Sequence, residues 1–153
     1  MVVVDLQIVC NVSVPPMEKI QQWAQAALTS VKVPAELSIK IVDEKESAEL
    51  NLEYRQKIGP TNILSFGCDL PIEIEPRLLG DLVICAPVVI AEAAQQDKAV
   101  MDHWAHMIVH GCLHLLGYDH IEPQQAIEME TREAQILATF SIDNPYQSTG
   151  YTE

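Results

Sequence analysis

Three histidines lie close together in the second half of the chain, at His110, His114 and His120. His110 and His114 are four residues apart, so on a helix both imidazoles leave from the same face. Gly117 follows where such a helix should end, because glycine adopts the left-handed conformation of a C-terminal cap without steric cost. The chain can then turn back and bring His120 towards the other two rings. Three neutral imidazoles around one cation, with a fourth position open to water, describe a catalytic zinc site.

The spacing H-x-x-x-H-x-x-G-x-x-H is the ligand spacing of the metzincin zinc motif. A pair of histidines at this distance can also be solvated or satisfied in a core, but the glycine and the third histidine favour one Zn²⁺ per chain. Zinc proteases carry a glutamate general base directly after the first histidine, and here that residue is Gly111. The metal ligands are therefore present without the protease base, which indicates another hydrolysis or no catalysis.

Two further residues are candidates for a catalytic role. Asp119 is next to His120 and could orient a water molecule or a histidine, or could simply form a turn. Arg55 could stabilise the charge that develops on a phosphate, because its planar guanidinium matches phosphate oxygens. From spacing alone, a surface salt bridge between Arg55 and an acid such as Glu53 is the simpler interpretation.

The other side chains near the histidines receive structural interpretations. His106, one turn before His110, is predicted to be a hydrogen-bonded neighbour rather than a fourth ligand. His103 is predicted to be either solvated or a wall of the cleft. Cys112 faces away from the histidines and is predicted to be a small buried group, not a ligand. The four cysteines of the chain form no CxxC pair and are predicted to be free thiols.

Composition limits the class of protein. The chain has 153 residues, which suits one domain, predicted over 1–145 and followed by a mobile tail at 146–153. Apolar residues make up 48% and charged residues 20%, as in an ordinary soluble globular protein. No apolar run is long enough to span a bilayer. The N-terminal residues, MVVVDLQIVC, lack a basic region and are predicted to form a strand rather than a signal peptide. We therefore expect a cytoplasmic protein with no membrane partner.

The formal net charge of −13 argues against a broad electrostatic surface for nucleic acid. A local basic groove is still compatible with this charge. Four of the nine Lys and Arg residues lie within eighteen positions, and a polyanion would be expected to bind there: Lys40, Lys45, Arg55 and Lys57.

Hydrophobic periodicity predicts the elements that must position these residues. Strands are predicted at 2–9, 37–41, 61–66 (near a sheet edge) and 81–86 (buried on both faces), and helices at about 16–31, 47–54, 87–96, 100–116 and from 123 to about 143. Ser47 is the predicted N-cap of the second helix, and residues 68–80 are predicted to be a loop. The last helix is predicted to expose Glu128, Glu130 and Glu133 to solvent.

The sequence resembles the YbeY family of bacterial metal-dependent endoribonucleases. The resemblance is carried by HGCLHLLGYDH with HWAHMIV before it, and by ELNLEYRQK, PTNILSF, LLGDLVIC and EMETREAQI. These segments follow one another in the family's order over about residues 37–145. Two positions depart from the family pattern: Ile58 replaces the aspartate after the lysine that follows the arginine, and Cys112 replaces a serine. The first departure concerns the loop at Lys57; the second changes only a small side chain.

The resemblance implies a single α/β domain, in which a small mixed β-sheet of about four strands is surrounded by helices. It implies a zinc ion on a central helix and the turn after it, held by His110, His114 and His120, with Arg55 facing the cleft. It also implies cleavage of single-stranded RNA in rRNA maturation, especially at the small-subunit 3′ end, and in ribosome quality control. Ribosomal small-subunit proteins and an assembly GTPase become expected partners. A non-catalytic RNA-binding assembly factor with structural zinc, and a zinc peptidase with an unusual base, are the alternatives.

Overall fold

The sheet is built from four segments rich in β-branched and aliphatic residues. A computed structural model describes residues 2–68 and 75–146. Within these ranges the strands are β1 (Val2–Val9), β2 (Ala35–Val42), β3 (Ile63–Gly67) and β4 (Arg77–Cys85). Their order in the sheet is β1-β2-β4-β3. The first three in this order pair in parallel, and β3 pairs antiparallel with β4 at the edge, as predicted.

Five helices within the same ranges connect and cover the strands. They are α1 (Met17–Ala27), α2 (Glu44–Arg55), α3 (Ala86–Gln95), α4 (Val100–Leu115) and α5 (Pro123–Ala138). Helix α4 contacts α1, α3 and α5 as well as β3 and β4, so it is the central helix of the fold. No helix in the described part of the chain combines the length and apolar composition required to cross a membrane. The predicted mixed sheet of about four strands with surrounding helices is confirmed.

Strand β4 is buried on both faces, as its continuous apolar run predicted. Leu82 and Ile84 point into the main core between the sheet and the helices. Val83 and Cys85 point to the opposite face, where they form a smaller core with Val42 and Leu64. This alternation follows from the period of two in a strand, and it requires cover on both sides of the sheet.

Helix α4 approaches the sheet closely at Gly111. A Cβ atom added there would lie 2.6 Å from Ile63 Cδ1 and 2.8 Å from Leu82 Cδ2. Both distances are shorter than ordinary van der Waals contact, so the absence of a side chain lets the helix lie against β3 and β4. The position that holds the general base in zinc proteases is thus occupied here by a glycine that packs against the sheet.

Several predicted boundaries are wrong. Strand β4 begins at Arg77, inside the predicted loop 68–80, because its first residues pair with β2; residues 69–74 of that loop lie outside the described ranges. Helix α1 ends at Ala27 rather than near residue 31, and α5 ends at Ala138 rather than near residue 143. The N-cap of α2 is Asp43, whose carboxylate accepts from the Glu46 N–H, while Ser47 lies within the helix.

Candidate metal centre

The three histidines of the motif come together at one end of α4. His110 and His114 lie on its last turns, and His120 lies in the segment between α4 and α5. The ring centroids of His110 and His114 are 4.6 Å apart, those of His114 and His120 are 5.1 Å apart, and those of His110 and His120 are 5.7 Å apart. One nitrogen from each ring lies within 4.8 Å of the others, so the three form a group that could hold a metal ion.

The turn after α4 brings His120 to this position. Gly117 has a φ of 103°, the left-handed conformation that glycine accepts readily. Its N–H donates to the His114 carbonyl (3.0 Å), and the Tyr118 N–H donates to the Leu113 carbonyl (3.1 Å). These two bonds form a Schellman motif, which ends the helix and reverses the chain. The predicted role of Gly117 is confirmed.

A buried carboxylate determines which nitrogen of His110 faces the site. Glu133, on α5, is 0% exposed, and its Oε2 lies 2.7 Å from His110 Nδ1. An ionised carboxylate can only accept hydrogen bonds, so Nδ1 must carry the proton. The lone pair of His110 is therefore on Nε2, which is the form of imidazole that can bind a metal.

Glu133 also receives hydrogen bonds from a buried imidazole and from the hydroxyl of an exposed tyrosine. His106 Nε2 lies 2.8 Å from Glu133 Oε1, and the Tyr146 hydroxyl donates to the same oxygen at 2.5 Å. Burial alone would raise the pKa of Glu133, but the hydrogen bonds from His106, His110 and Tyr146 lower it to about 2. The carboxylate is therefore ionised throughout the physiological range and stays an acceptor for the His110 proton.

Burial affects the protonation of two histidines of α4, the candidate ligand His114 and its neighbour His106. Burial lowers the pKa of His114, and the nearby imidazoles of His110 and His120 lower it further. Burial also lowers the pKa of His106, although its hydrogen bond with Glu133 opposes this. These imidazoles are neutral at pH 7, and a neutral ring offers the free lone pair that a metal ion needs.

The donor set fits a zinc ion. Three imidazole nitrogens are the protein ligands of one well-known kind of catalytic zinc site, in which a fourth position is left for water or substrate. Among the described residues, no cysteine, carboxylate or fourth histidine joins the group formed by His110, His114 and His120. A second group, formed by His106, His110 and Glu133, shares His110, but its contacts are the hydrogen bonds described above.

The histidines line an open cleft together with Arg55. The cleft has a volume of 600 Å³, and its walls include residues at the end of α2 and along β3. Gln56, with a φ of 55°, ends α2 directly after Arg55. The following loop is fixed from within the helix, because the Ser47 hydroxyl bonds with the Thr61 backbone (3.0 Å) and the Asn51 amide donates to the Gly59 carbonyl (2.8 Å). The end of α2 is thereby held beside β3 and the histidines.

The two predicted catalytic residues differ in their surroundings. Arg55 is exposed, and it forms no ion pair with any acid of the described ranges, so the salt bridge with Glu53 is absent there. Asp119 uses one carboxylate oxygen to accept from the backbone N–H of His120 (2.7 Å), and the same oxygen lies 3.9 Å from His120 Nδ1. Arg55 lines the cleft, whereas Asp119 does not belong to the cleft lining.

Other side chains near the site correct or confirm the sequence interpretation. His103 is neither solvated nor a cleft wall: it is 2% exposed and bonds with Glu92 at 2.8 Å. Cys112 is buried and burial raises its pKa to about 12, in agreement with its prediction as a small buried group. His106 is a hydrogen-bonded neighbour of the site, as predicted. Among the predicted basic residues, Lys40 is neutralised by Glu46 at 2.5 Å.

The prediction that Glu133 is solvated is wrong, and this is the functional residue that sequence reasoning missed. A signal was present, because Met129, Glu133, Ile136 and Leu137 follow the helical spacing of one buried face. An acid on such a face needs partners, and three donors supply them. Tyr146, one of these donors, was predicted to begin a mobile tail; residues 147–153 of that tail lie outside the described ranges.

The fold and the cleft together define a small α/β protein with a candidate metal site of the type that metal-dependent hydrolases use. The sequence model of one family, described as Endoribonuclease YbeY, matches residues 9–141. The chain belongs to the YbeY endoribonuclease family, and the resemblance seen in the sequence is confirmed. Membership in this family supports a hydrolase that acts as a nuclease.

The fold is also similar to a solved structure. The solution structure of TM1509 from Thermotoga maritima superposes on this chain with a TM-score of 0.60, at 17% sequence identity and with 100% of each chain covered. At this identity the likeness concerns the fold alone. It indicates that the arrangement of the elements around α4 is shared by a protein whose sequence differs at most positions.

Proposed function

We propose that this protein is a zinc-dependent endoribonuclease that cleaves single-stranded RNA. We expect it to function in the cytoplasm, in rRNA maturation, especially at the small-subunit 3′ end, and in ribosome quality control. Small-subunit ribosomal proteins and an assembly GTPase are the expected partners. The observation that carries the proposal is the grouping of three imidazole nitrogens within 4.8 Å in the cleft that Arg55 also lines. Membership in the endoribonuclease family supports it.

His110, His114 and His120 would hold the zinc ion through one nitrogen each. When bound, such an ion lowers the pKa of a water ligand to about 7 and polarises a phosphoryl oxygen. Glu133 holds His110 in the required tautomer through its hydrogen bond to Nδ1. His120 is the most exposed of the three, with 57% of its side chain accessible, so the site is open to solvent next to His120.

Arg55 would bind the phosphate of the cleaved bond. Its guanidinium can donate two parallel hydrogen bonds to phosphate oxygens, and it stabilises the negative charge that grows in the transition state. Because no described acid neutralises it, this charge is available to a ligand. Asp119 is the weaker candidate: 3.9 Å from His120 Nδ1, it could orient that ring, or a water molecule, from outside the cleft.

The proposal is tested with purified zinc-loaded protein and single-stranded fragments of rRNA. We expect cleavage that a chelator abolishes and zinc restores, and no cleavage by His114→Ala. Arg55→Ala should keep its zinc while its rate falls by roughly 10²- to 10³-fold, the usual loss for one transition-state donor. Lys19→Ala, which removes an exposed positive charge on α1 that does not line the cleft, is the matched control and should cleave normally. Cleavage by metal-free His114→Ala at the wild-type rate would show that the activity does not depend on the three-histidine site, and would contradict the proposal.

Two observations favour this function over its alternatives. A glutamate at position 111 would place its Cβ 2.6 Å from Ile63 Cδ1 and 2.8 Å from Leu82 Cδ2, so the usual peptidase base would fit only if these core side chains moved. The described part of the chain supplies three ligands to an open cleft, whereas a structural zinc is normally closed by four. Hydrolysis of peptides by the zinc-loaded protein would favour the peptidase instead. RNA binding without any cleavage would favour the assembly factor.

A further inference from the structure

An aromatic pair lies where two cavities meet. Tyr54 and Phe66 line the cleft of the three histidines, and they also line a second cavity of 530 Å³ on the sheet face that carries α2. Tyr54 directly precedes Arg55 on α2, and Phe66 lies on β3. A ligand that extends from the candidate metal centre towards the sheet must therefore pass these two rings.

The two rings are arranged as a supported, exposed surface. Their centroids are 5.1 Å apart with an interplanar angle of 69°, an edge-to-face contact. Phe66 packs against the smaller core beneath it, which fixes its position. Tyr54 is 55% exposed even though it contacts Phe66. Packing among the described residues therefore accounts for the position of Phe66, whereas it covers less than half of Tyr54.

The charges on the two sides of the pair are opposite. On the cleft side Arg55 offers a cation that forms no ion pair with any acid of residues 2–68 and 75–146. On the other side the second cavity is lined by Asp5, Glu46 and Asp81, with Lys40 as its cation, and Lys40 is already bound to Glu46. Phosphate is attracted to the first side and repelled by the second, whereas nucleobases are uncharged and carry amino donors that carboxylates can accept.

We propose that Tyr54, supported by Phe66, stacks one nucleobase of the RNA beside the phosphate that Arg55 binds. This inference rests on the proposed endoribonuclease function and adds to it a base-binding subsite. Aromatic rings stack on bases of any sequence, so the subsite would be tolerant of sequence. A base within a duplex is already stacked and paired and cannot lie on the ring, so the subsite would also favour single strands.

The test is single-turnover cleavage of one short single-stranded RNA by zinc-loaded protein, with and without a single abasic position. The protein concentration that gives half the maximal rate reports apparent affinity separately from the rate itself. We expect Tyr54→Ala to raise this concentration by about 5- to 150-fold, the usual range for the loss of one stacked base, and Tyr54→Phe to restore it. Leu52→Ala is the matched control, because Leu52 is 57% exposed on the same helix but lines neither cavity.

The abasic RNAs distinguish a subsite from a general effect on the structure. In the wild type, removal of one particular base should weaken binding as much as Tyr54→Ala does, and in Tyr54→Ala the same removal should have little further effect. A loss in Tyr54→Ala that is equal for all abasic positions would overturn the subsite, as would unchanged affinity in an active enzyme. If the wild type cleaves no RNA, the proposed function fails, and the subsite fails with it.

Discussion

The contact between His110 and Glu133 decides whether the central histidine can bind a metal. An isolated imidazole can place its proton on either nitrogen, so half of the available arrangements would turn a protonated nitrogen towards the site. The carboxylate of Glu133, ionised because its pKa is held at about 2, accepts from Nδ1 and selects one arrangement. Such outer partners often change metal affinity by 10- to 100-fold, although they do not contact the ion.

Glu133→Gln is therefore expected to weaken zinc binding by roughly 10- to 100-fold. The amide keeps the size of the side chain but is neutral, and it can present an N–H instead of an acceptor to His110 Nδ1. Affinity is measured by competition with a chromogenic chelator, and ¹⁵N chemical shifts of the histidine rings report the tautomer of His110. We expect a mixture of tautomers in the variant and only the Nδ1–H form in the wild type.

Glu128→Gln is the control for this substitution. Glu128 lies on the same helix and is exposed, so the variant removes the same charge without touching His110. Its zinc affinity and its tautomers should match the wild type. Equal losses in the two variants would mean that overall charge, not the hydrogen bond, controls zinc binding, and would refute the role of Glu133.

At the scale of the elements, the position of α4 on the sheet depends on a residue without a side chain. Gly111 lets the helix backbone approach Ile63 and Leu82, which belong to β3 and β4. The same helix carries His110 and His114, so a change in its distance from the sheet would move two of the three candidate ligands. Packing and metal binding are thus coupled through this contact.

Gly111→Ala is expected to destabilise the protein despite the higher helix propensity of alanine. The propensity gain is about 1 kcal/mol, whereas forcing an extra methyl group into a filled core costs about 1–3 kcal/mol. The new Cβ would lie 2.6 Å from Ile63 Cδ1 and 2.8 Å from Leu82 Cδ2, terminal methyl groups that can move only partly because both side chains are buried, so we place the cost near the middle of that range, about 2 kcal/mol. The net loss in the free energy of unfolding, about 1 kcal/mol, is measured by urea denaturation.

Gly67→Ala provides the comparison for Gly111→Ala. Gly67 lies at the end of β3, and a Cβ there would meet no atom of the described residues within 4 Å. Its unfolding free energy should not fall. If both variants were equally stable, the close approach of α4 to the sheet would not restrict the residue at position 111.

Features that depend on residues close together in the chain could be predicted from the sequence. Features that depend on contacts between residues far apart in the chain could not. The helix of His110 and His114 and its end at Gly117 follow from local periodicity and from glycine's conformational freedom. The partner of His110 is 23 residues away on α5, and only the packing of the two helices determines it. The early start of β4 has the same cause: Arg77 pairs with Ala35 of the neighbouring strand, and the local sequence around Arg77 does not predict this pairing.

At the scale of the whole molecule, several titratable groups have pKa values that make the metal-free protein sensitive to acid. Burial lowers the pKa of His103, His106 and His114 in the folded state, while the unfolded chain keeps the ordinary value near 6.5. Below that value the unfolded chain binds more protons than the folded one, so stability falls with falling pH. Glu133 adds a second loss at lower pH, from about 4.5 down to about 2, as its depressed pKa is approached.

The net charge opposes this trend and must be separated from it. Acidification reduces the charge of −13 and with it the self-repulsion of the folded state, which alone would raise stability. Acidification reduces the net negative charge of a variant that lacks one buried histidine by nearly the same amount. The difference between the wild type and the variant therefore isolates the histidine.

His103→Gln is suited to this comparison, because His103 lies outside the three-histidine group and a glutamine amide can still donate to Glu92. We expect the urea midpoint of the metal-free wild type to fall more steeply than that of His103→Gln between about pH 7.5 and about pH 5.5, the interval that spans the ordinary histidine pKa. The variant lacks a group that takes up a proton on unfolding, so its stability depends less on pH. Parallel curves for the two proteins would mean that His103 binds its proton equally well in the folded and unfolded states, and the acid sensitivity would then have to come from other groups.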